Sequence, residues 1–204
     1  GSQGANGVVV ITTKKGKQGA AKVSISTGVT FENVMKKPEL QFKYGAKGGA
    51  KESWDDTPGN YESGYVDDWF ETGTNFINTI AISGGTDRTT AYFSYGNVSA
   101  SGITPTNKYN RNNFMFKQST KLFNDKVTVS SNVMVSDEKT ENRMAAGYYL
   151  NPLTGLYMFP RERSFSDFQE NYQVFDPVRN MDVMNWFVTD HHQSNPYWIL
   201  NRQP

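Results

Sequence analysis

The sequence predicts an all-β chain of antiparallel strands, and three observations carry that reading. Five segments alternate apolar and polar residues with a period of two, the pattern of a half-buried strand. Their connections are unequal: a long one, a tight turn, a middle-sized loop, a second tight turn and a last long stretch. The composition is polar, aromatic and glycine-rich, with a mean hydropathy of -0.64, 36% hydrophobic residues, 13 Phe, 11 Tyr and 18 Gly among 204 residues. That hydrophobic share lies below the roughly 45–50% of ordinary globular chains, a tally that also counts Gly. It is poor material for a helical core and suits strands around a wet interior.

The elements follow in order. Gly4-Ala5-Asn6-Gly7 is a tight turn, Val8–Ile11 reads as a buried-type strand, and Thr12-Thr13-Lys14-Lys15-Gly16 is a basic exit turn. Only Gly1, Ser2 and Gln3 precede them, so the expectation is that the chain begins inside something larger. Residues 20–32 place Val23, Ile25, Val29 and Phe31 on one face and Lys22, Ser24, Ser26, Gly28 and Thr30 on the other. Residues 33–73 lose the period and carry Pro38, Pro58, a glycine-rich piece and scattered Trp54, Tyr61, Tyr65, Trp69 and Phe70. So long an irregular segment is unusual inside a compact domain and ordinary for an extracellular loop of a membrane barrel.

Strand character returns at 75–84, where Asn78, Ile80 and Ile82 oppose Thr79, Ala81 and Ser83. After the turn Gly84–Arg88, residues 89–99 set Ala91, Phe93 and Tyr95 against Tyr92, Ser94 and Gly96. Residues 110–123 set Phe114, Phe116 and Leu122 against Met115, Lys117, Ser119 and Lys121. Asn124-Asp125 is a tight turn, and residues 126–136 alternate Val127, Val129, Val133 and Val135 with Thr128, Ser130, Asn132 and Ser136. The apolar faces carry no charge. Residues 138–204 are again irregular, with short helices expected around Ala145–Leu156 and Met181–Trp186, and no closing strand before Pro204.

Several function classes fall away. A net charge of +1 gives no electrostatic footprint for nucleic acid. With no Cys there is neither a disulfide framework nor a thiolate metal site. No apolar run reaches the roughly 18 residues of a membrane helix, which says nothing against a barrel. His191-His192 is the lone histidine pair and is read as a solvated loop. Lys47–Lys51 lacks the Gly and Ser/Thr that a phosphate loop requires. Asp55-Asp56 and Asp67-Asp68 lack calcium-loop spacing and are read as hydrated pairs. The chain is read as non-enzymatic, without catalytic residues, metal or cofactor.

The segment Gly4–Gly16 resembles the last plug strand of SusC/RagA-type TonB-dependent outer-membrane transporters. Trp69-Phe70-Glu71-Thr72-Gly73 is similar to the family's Trp-aromatic-x-Thr-Gly. Ile82-Ser83-Gly84-Gly85-Thr86 with Thr89-Thr90-Ala91-Tyr92 resembles its Val-Ser-Gly-Gly hairpin. Gly102-Ile103, Asn110-Arg111, Leu156–Arg161, Phe175-Asp176-Pro177 and Asn195-Pro196-Tyr197-Trp198 continue the likeness in order over nearly the whole chain.

The resemblance implies a plugged, 22-stranded antiparallel transmembrane β-barrel with long extracellular loops. Residues 1–18 would be the last plug strand and linker, and 19–204 the start of the barrel, with loops at 33–73 and 138–204. Val8–Ile11 would pair inside the lumen, and Lys14, Lys15 and Lys17 would sit near the periplasmic rim. It implies import of an oligosaccharide, or an oligopeptide, across the bacterial outer membrane, with a SusD-like surface lipoprotein as lid. TonB would engage an upstream segment, and lipid would meet the apolar faces.

Aromatic rings offer flat apolar faces to sugars, while Asn and Arg bind hydroxyls. Tyr157, Phe159, Arg161, Trp186, Asn195, Tyr197 and Trp198 are therefore candidates to line the lumen or its mouth. Taken singly, each is better read as packing its long loop into the barrel or against the lipoprotein. The rival to the whole reading is a soluble β-rich carbohydrate-binding module. It predicts a closed set of strands and solubility without detergent.

Overall fold

A computed structural model describes residues 14–46, 56, 58–189 and 193–202. The expected plug strand Val8–Ile11, the Lys47–Lys51 segment, Trp54, Asp55 and His191-His192 lie outside the described residues. Five strands, β1 (Gly19–Glu32), β2 (Gly73–Gly85), β3 (Thr89–Ser101), β4 (Lys108–Leu122) and β5 (Val127–Glu141), form one antiparallel sheet in the order β1-β2-β3-β4-β5. The fold class is thus mostly β. Among the described residues no helix is long and apolar enough to cross a membrane.

The described residues divide into two compact units, one within 14–28, 76–98 and 111–138, the other within 29–75, 99–110 and 139–202. In the first, side-chain contacts set the phase of the alternation. On one face Thr27 Oγ1 donates to Asn78 Oδ1 at 2.7 Å, and the Thr89 and Thr120 hydroxyls meet at 3.2 Å. On that same face Tyr95 OH donates to Asn112 Oδ1 at 2.8 Å, and its ring lies 4.8 Å from Phe114. On the other face the Ser119 and Ser130 hydroxyls meet at 3.1 Å, and Arg111 pairs with Glu138 at 3.8 Å. The first face therefore collects Val23, Ile25, Ile82, Phe93, Phe114, Phe116, Val129 and Val133, all exposed, Ile25 by 74%. The opposite face carries Lys22, Lys117, Ser119, Ser130 and Asn132.

Tight turns link the strands because their residues tolerate unusual backbone. Phe123, Asn124 and Asp125 take φ of 54°, 55° and 67° between β4 and β5, and Lys126 N–H closes the turn on Phe123 O at 3.3 Å. Between β2 and β3, Thr86 N–H donates to Thr89 O at 2.7 Å. The Thr86 hydroxyl oxygen accepts from the amides of Arg88 and Thr89.

The second unit is where the irregular segments acquire structure. It holds α1 (Tyr65–Trp69), α2 (Pro152–Met158), α3 (Phe165–Glu170), a hairpin of β6 (Gln173–Asp176) and β7 (Met181–Met184), and α4 (Pro196–Arg202). Its core joins Tyr65, Val66 and Trp69 of α1 to Leu156, Phe159, Phe165 and Leu200. Both helix expectations for this stretch need correction. The first helix begins at Pro152, not near Ala145, because Gly147 and Leu150 take φ of 88° and 53°, which a right-handed helix excludes. Asn151 then caps it, its Oδ1 accepting from Leu153 N–H at 3.0 Å, with Pro152 in the first turn. Met181–Met184 is a strand, not a helix. Asp176 Oδ1 accepts from Val178 and Arg179 N–H at 2.8 and 3.2 Å, and Asn180 sits at φ 51°. That turn brings Val174 opposite Val183 and Phe175 opposite Asp182.

Candidate functional site

All seven residues singled out as ligand candidates fall in the second unit, but they share no common surface. Phe159, which follows α2, is 1% exposed. Its ring lies between 5.1 and 5.7 Å from those of Tyr65, Phe165, Phe168, Trp186 and Phe187, an edge-and-tilt cluster favoured by ring quadrupoles. Arg161, 7% exposed, runs along this cluster. Its Nε donates to Gln41 O at 2.8 Å and a terminal nitrogen to Tyr65 OH at 2.9 Å and to Phe159 O. The guanidinium also stands 4.8 Å over the Phe42 ring.

Asn195 is fully buried. Its Nδ2 donates to Phe168 O and Asn185 O at 2.8 and 2.9 Å. Its Oδ1 accepts from Tyr197 and Trp198 N–H at 2.9 and 3.4 Å. It is thus the N-cap of α4, with Pro196 as first helical residue. Trp186 packs on Phe168 and Phe187 at 5.3 and 4.8 Å. Tyr197 meets Trp69 edge-on at 5.1 Å. Phe159 and Asn195 present almost no surface to a ligand; Tyr157, Trp186, Tyr197 and Trp198 stay partly exposed, Trp198 beneath the Arg202 guanidinium at 5.8 Å.

Burial shapes the phenols. It raises the Tyr65 pKa above its ordinary value of 10.0, with Arg161 opposing and Glu62 reinforcing. Tyr197 moves the same way, by burial and then by the charges of Glu71 and Asp68. Tyr157 is raised by burial, against the pull of Lys37. None is poised as an acid or base near neutral pH. Among the described residues no three His, Asp or Glu side chains gather where they could hold a metal. Asp67, from one of the paired carboxylates, is ion-paired with Lys37.

Two adjoining cavities of this unit open beside these residues. One, of about 500 Å³, is lined by Tyr157 with Phe70, Lys36, Glu32 and Arg143. The other, of about 200 Å³, shares Thr104, Arg143 and Met144 with it and is walled by Leu150, Pro152, Ile199 and Leu200. Sequence reasoning passed over Arg143 and Asn142, which sit in an irregular stretch without a motif. It also left Tyr65 and Trp69 as scattered aromatics, although their spacing of four is that of one helix face.

In the first unit a separate cavity of about 390 Å³ lies on the polar face, lined by Lys15, Gly16, Thr90, Lys117, Ser119 and Ser130. Here the chain passes so close to β3 that a Cβ on Gly16 would lie 2.7 Å from the Ala91 amide nitrogen and carbonyl oxygen. The position accepts only glycine without a backbone shift.

No family model matches the chain. Over 150 residues, 71% of the chain, it is 28% identical to the TonB-dependent receptor SusC of Bacteroides thetaiotaomicron. The chain is similar to a TonB-dependent receptor. It covers 15% of that protein's length.

Proposed function

We propose that the chain is the end of the plug and the start of the barrel wall of a TonB-dependent importer in the bacterial outer membrane. The carrying observation is the sheet's two-faced character. One face exposes Val, Ile and Phe, and its charges, Lys108, Asp137, Lys139 and Glu141, stand only at the ends of β4 and β5, while the other face carries Lys, Ser, Thr and Asn along the strands. Apolar side chains exposed in such number are covered by something apolar in the working protein, and lipid on one side with a wet lumen on the other satisfies both faces. The similarity to SusC supports the same reading. A soluble carbohydrate-binding sandwich would lay a second sheet over the apolar face.

In this reading the barrel has 22 strands, residues 1–18 end the plug, and Gly16 passes the chain from plug to wall. The second unit faces the cell exterior under a SusD-like lipoprotein. TonB engages a segment upstream, and the cargo is an oligosaccharide or an oligopeptide. Tyr157, Trp186, Tyr197 and Trp198 supply contact surface at the mouth, while Phe159, Arg161 and Asn195 hold the unit in shape behind them. Energised uptake of labelled oligosaccharides and oligopeptides by cells with and without the intact gene tests this. Uptake that depends on the gene and on the proton-motive force is expected, and uptake indifferent to both contradicts it.

A further inference from the structure

The cavity of about 200 Å³ in the second unit brings together three features of different chemistry. The first is an orphan acceptor. Asn142 Nδ2 donates to Thr106 Oγ1 at 2.6 Å. The Thr106 hydroxyl hydrogen is itself committed to Pro105 O at 2.6 Å, so its oxygen can only accept and the amide orientation is set. Asn142 Oδ1 is left buried with no hydrogen-bond partner among the described residues. A buried acceptor without a donor is unfavourable and calls for an explanation.

The second is Arg143, which lines this cavity and the adjoining one and makes no ion pair or hydrogen bond among the described residues. The third is an apolar wall of Leu150, Pro152, Ile199 and Leu200. Leu150 stands there at φ 53°, a conformation that a branched side chain seldom adopts and that tends to persist where function requires it.

An acceptor, a cation and an apolar wall within one small cavity are complementary to a donor, an anion and an apolar group carried together. A free α-carboxylate, the N–H of the same residue and its aliphatic side chain form that set. We infer that this cavity receives the C-terminal residue of an oligopeptide, one with a large apolar side chain. The carboxylate pairs with Arg143, the last amide N–H donates to Asn142 Oδ1 once that side chain turns toward the cavity, and the apolar side chain lies against Ile199 and Leu200. The adjoining cavity of about 500 Å³, past Phe70 and Tyr157, has room for the preceding residues. A neutral sugar would bring no charge to Arg143 and would set hydroxyls against the apolar wall. The inference deepens the importer reading, and rests on it for why this unit meets a ligand.

The test is calorimetric titration of the intact detergent-purified protein with N-acetyl-Ala-Ala-Leu as the free acid, its C-terminal carboxamide, and N-acetyl-Ala-Ala-Ala acid. The free leucine acid is expected to bind about tenfold or more tighter than the carboxamide, since the amide removes a charge-assisted bond. It should also bind more tightly than the alanine acid. Arg143→Gln, at an exposed position that leaves the core intact, should abolish the acid-over-amide preference. Equal affinities for acid and amide, a preference that survives Arg143→Gln, or no binding of any of the three would overturn the inference. Heat-modifiable electrophoretic mobility of the same preparation reports the barrel independently. A folded barrel that ignores the peptide acid therefore sinks this site and leaves the importer reading standing.

Discussion

Asn195 ties together four backbone groups that no neighbour could serve at once: two carbonyls, from Phe168 and Asn185, and two amides at the start of α4. Replacing it with alanine uncaps the helix and strips both carbonyls of a donor inside the unit. The expected cost is about 2–3 kcal/mol of local stability, read as faster protease cleavage within 171–202. Asn195→Asp keeps the cap but loses the donors, so its cleavage rate should fall between the two. At Gly16 the constraint is steric. Gly16→Ala should cost about 1–3 kcal/mol through collision with the Ala91 backbone. Gly28→Ala, with open space around it, should leave heat-denaturation of the folded protein unchanged. The phenols give a pH signature. With the Tyr65 and Tyr197 pKa values raised above 10.0 in the folded state, the folded chain holds protons that the unfolded chain has lost. The second unit should keep its full stability below pH 10 and lose it as pH climbs toward the folded pKa values. Phenolate absorbance together with proteolysis would show these tyrosines ionising late and the unit loosening with them.

At the scale of elements, the two faces of each strand make opposite predictions. Val129→Lys places a charge among Val127, Val133 and Val135, where lipid at mid-depth would penalise it by about 2–4 kcal/mol. Asn132→Lys places the same charge on the polar face, one that already carries Lys117, and should be tolerated. The fraction of protein with folded, heat-modifiable mobility should drop for the first and hold for the second. Equal loss in both would mean that the alternation does not sort lipid from lumen. These elements are also where the sequence was most readable. A strand writes its facing into successive residues, so Val127 to Val135 against Thr128 to Ser136 discloses β5 from local information alone. The second unit cannot be read that way. Its core draws Trp69 from one irregular segment and Leu156, Phe159 and Leu200 from another, and no local period marks residues that meet only after folding. The late start of α2 was written in Asn151-Pro152, a cap followed by a first-turn proline. The strand β7 depended on the turn chemistry of Asp176 and Asn180. Of the ligand candidates, residue type alone could not separate Phe159 and Asn195, which the core consumes, from Tyr157 and Trp198, which keep surface.

For the molecule as a whole, the sheet and the loop unit answer different demands. A sheet with one apolar and one polar face is unstable alone in water; among the described residues the outer edges of β1 and β5 have no strand beside them, and the proposed barrel wall would satisfy both the edges and the faces. The loop unit has its own buried aromatic core and carries the cavities that could meet a ligand. The account's central claim is that this sheet is part of an outer-membrane importer. It is tested most directly by extracting the native polypeptide from fractionated cells and measuring its intact mass with whatever co-purifies. The account predicts an outer-membrane protein that needs detergent, several times heavier than the 23.0 kDa of these 204 residues, accompanied by a surface lipoprotein. A 23.0 kDa chain, folded and alone in the soluble fraction, would contradict it.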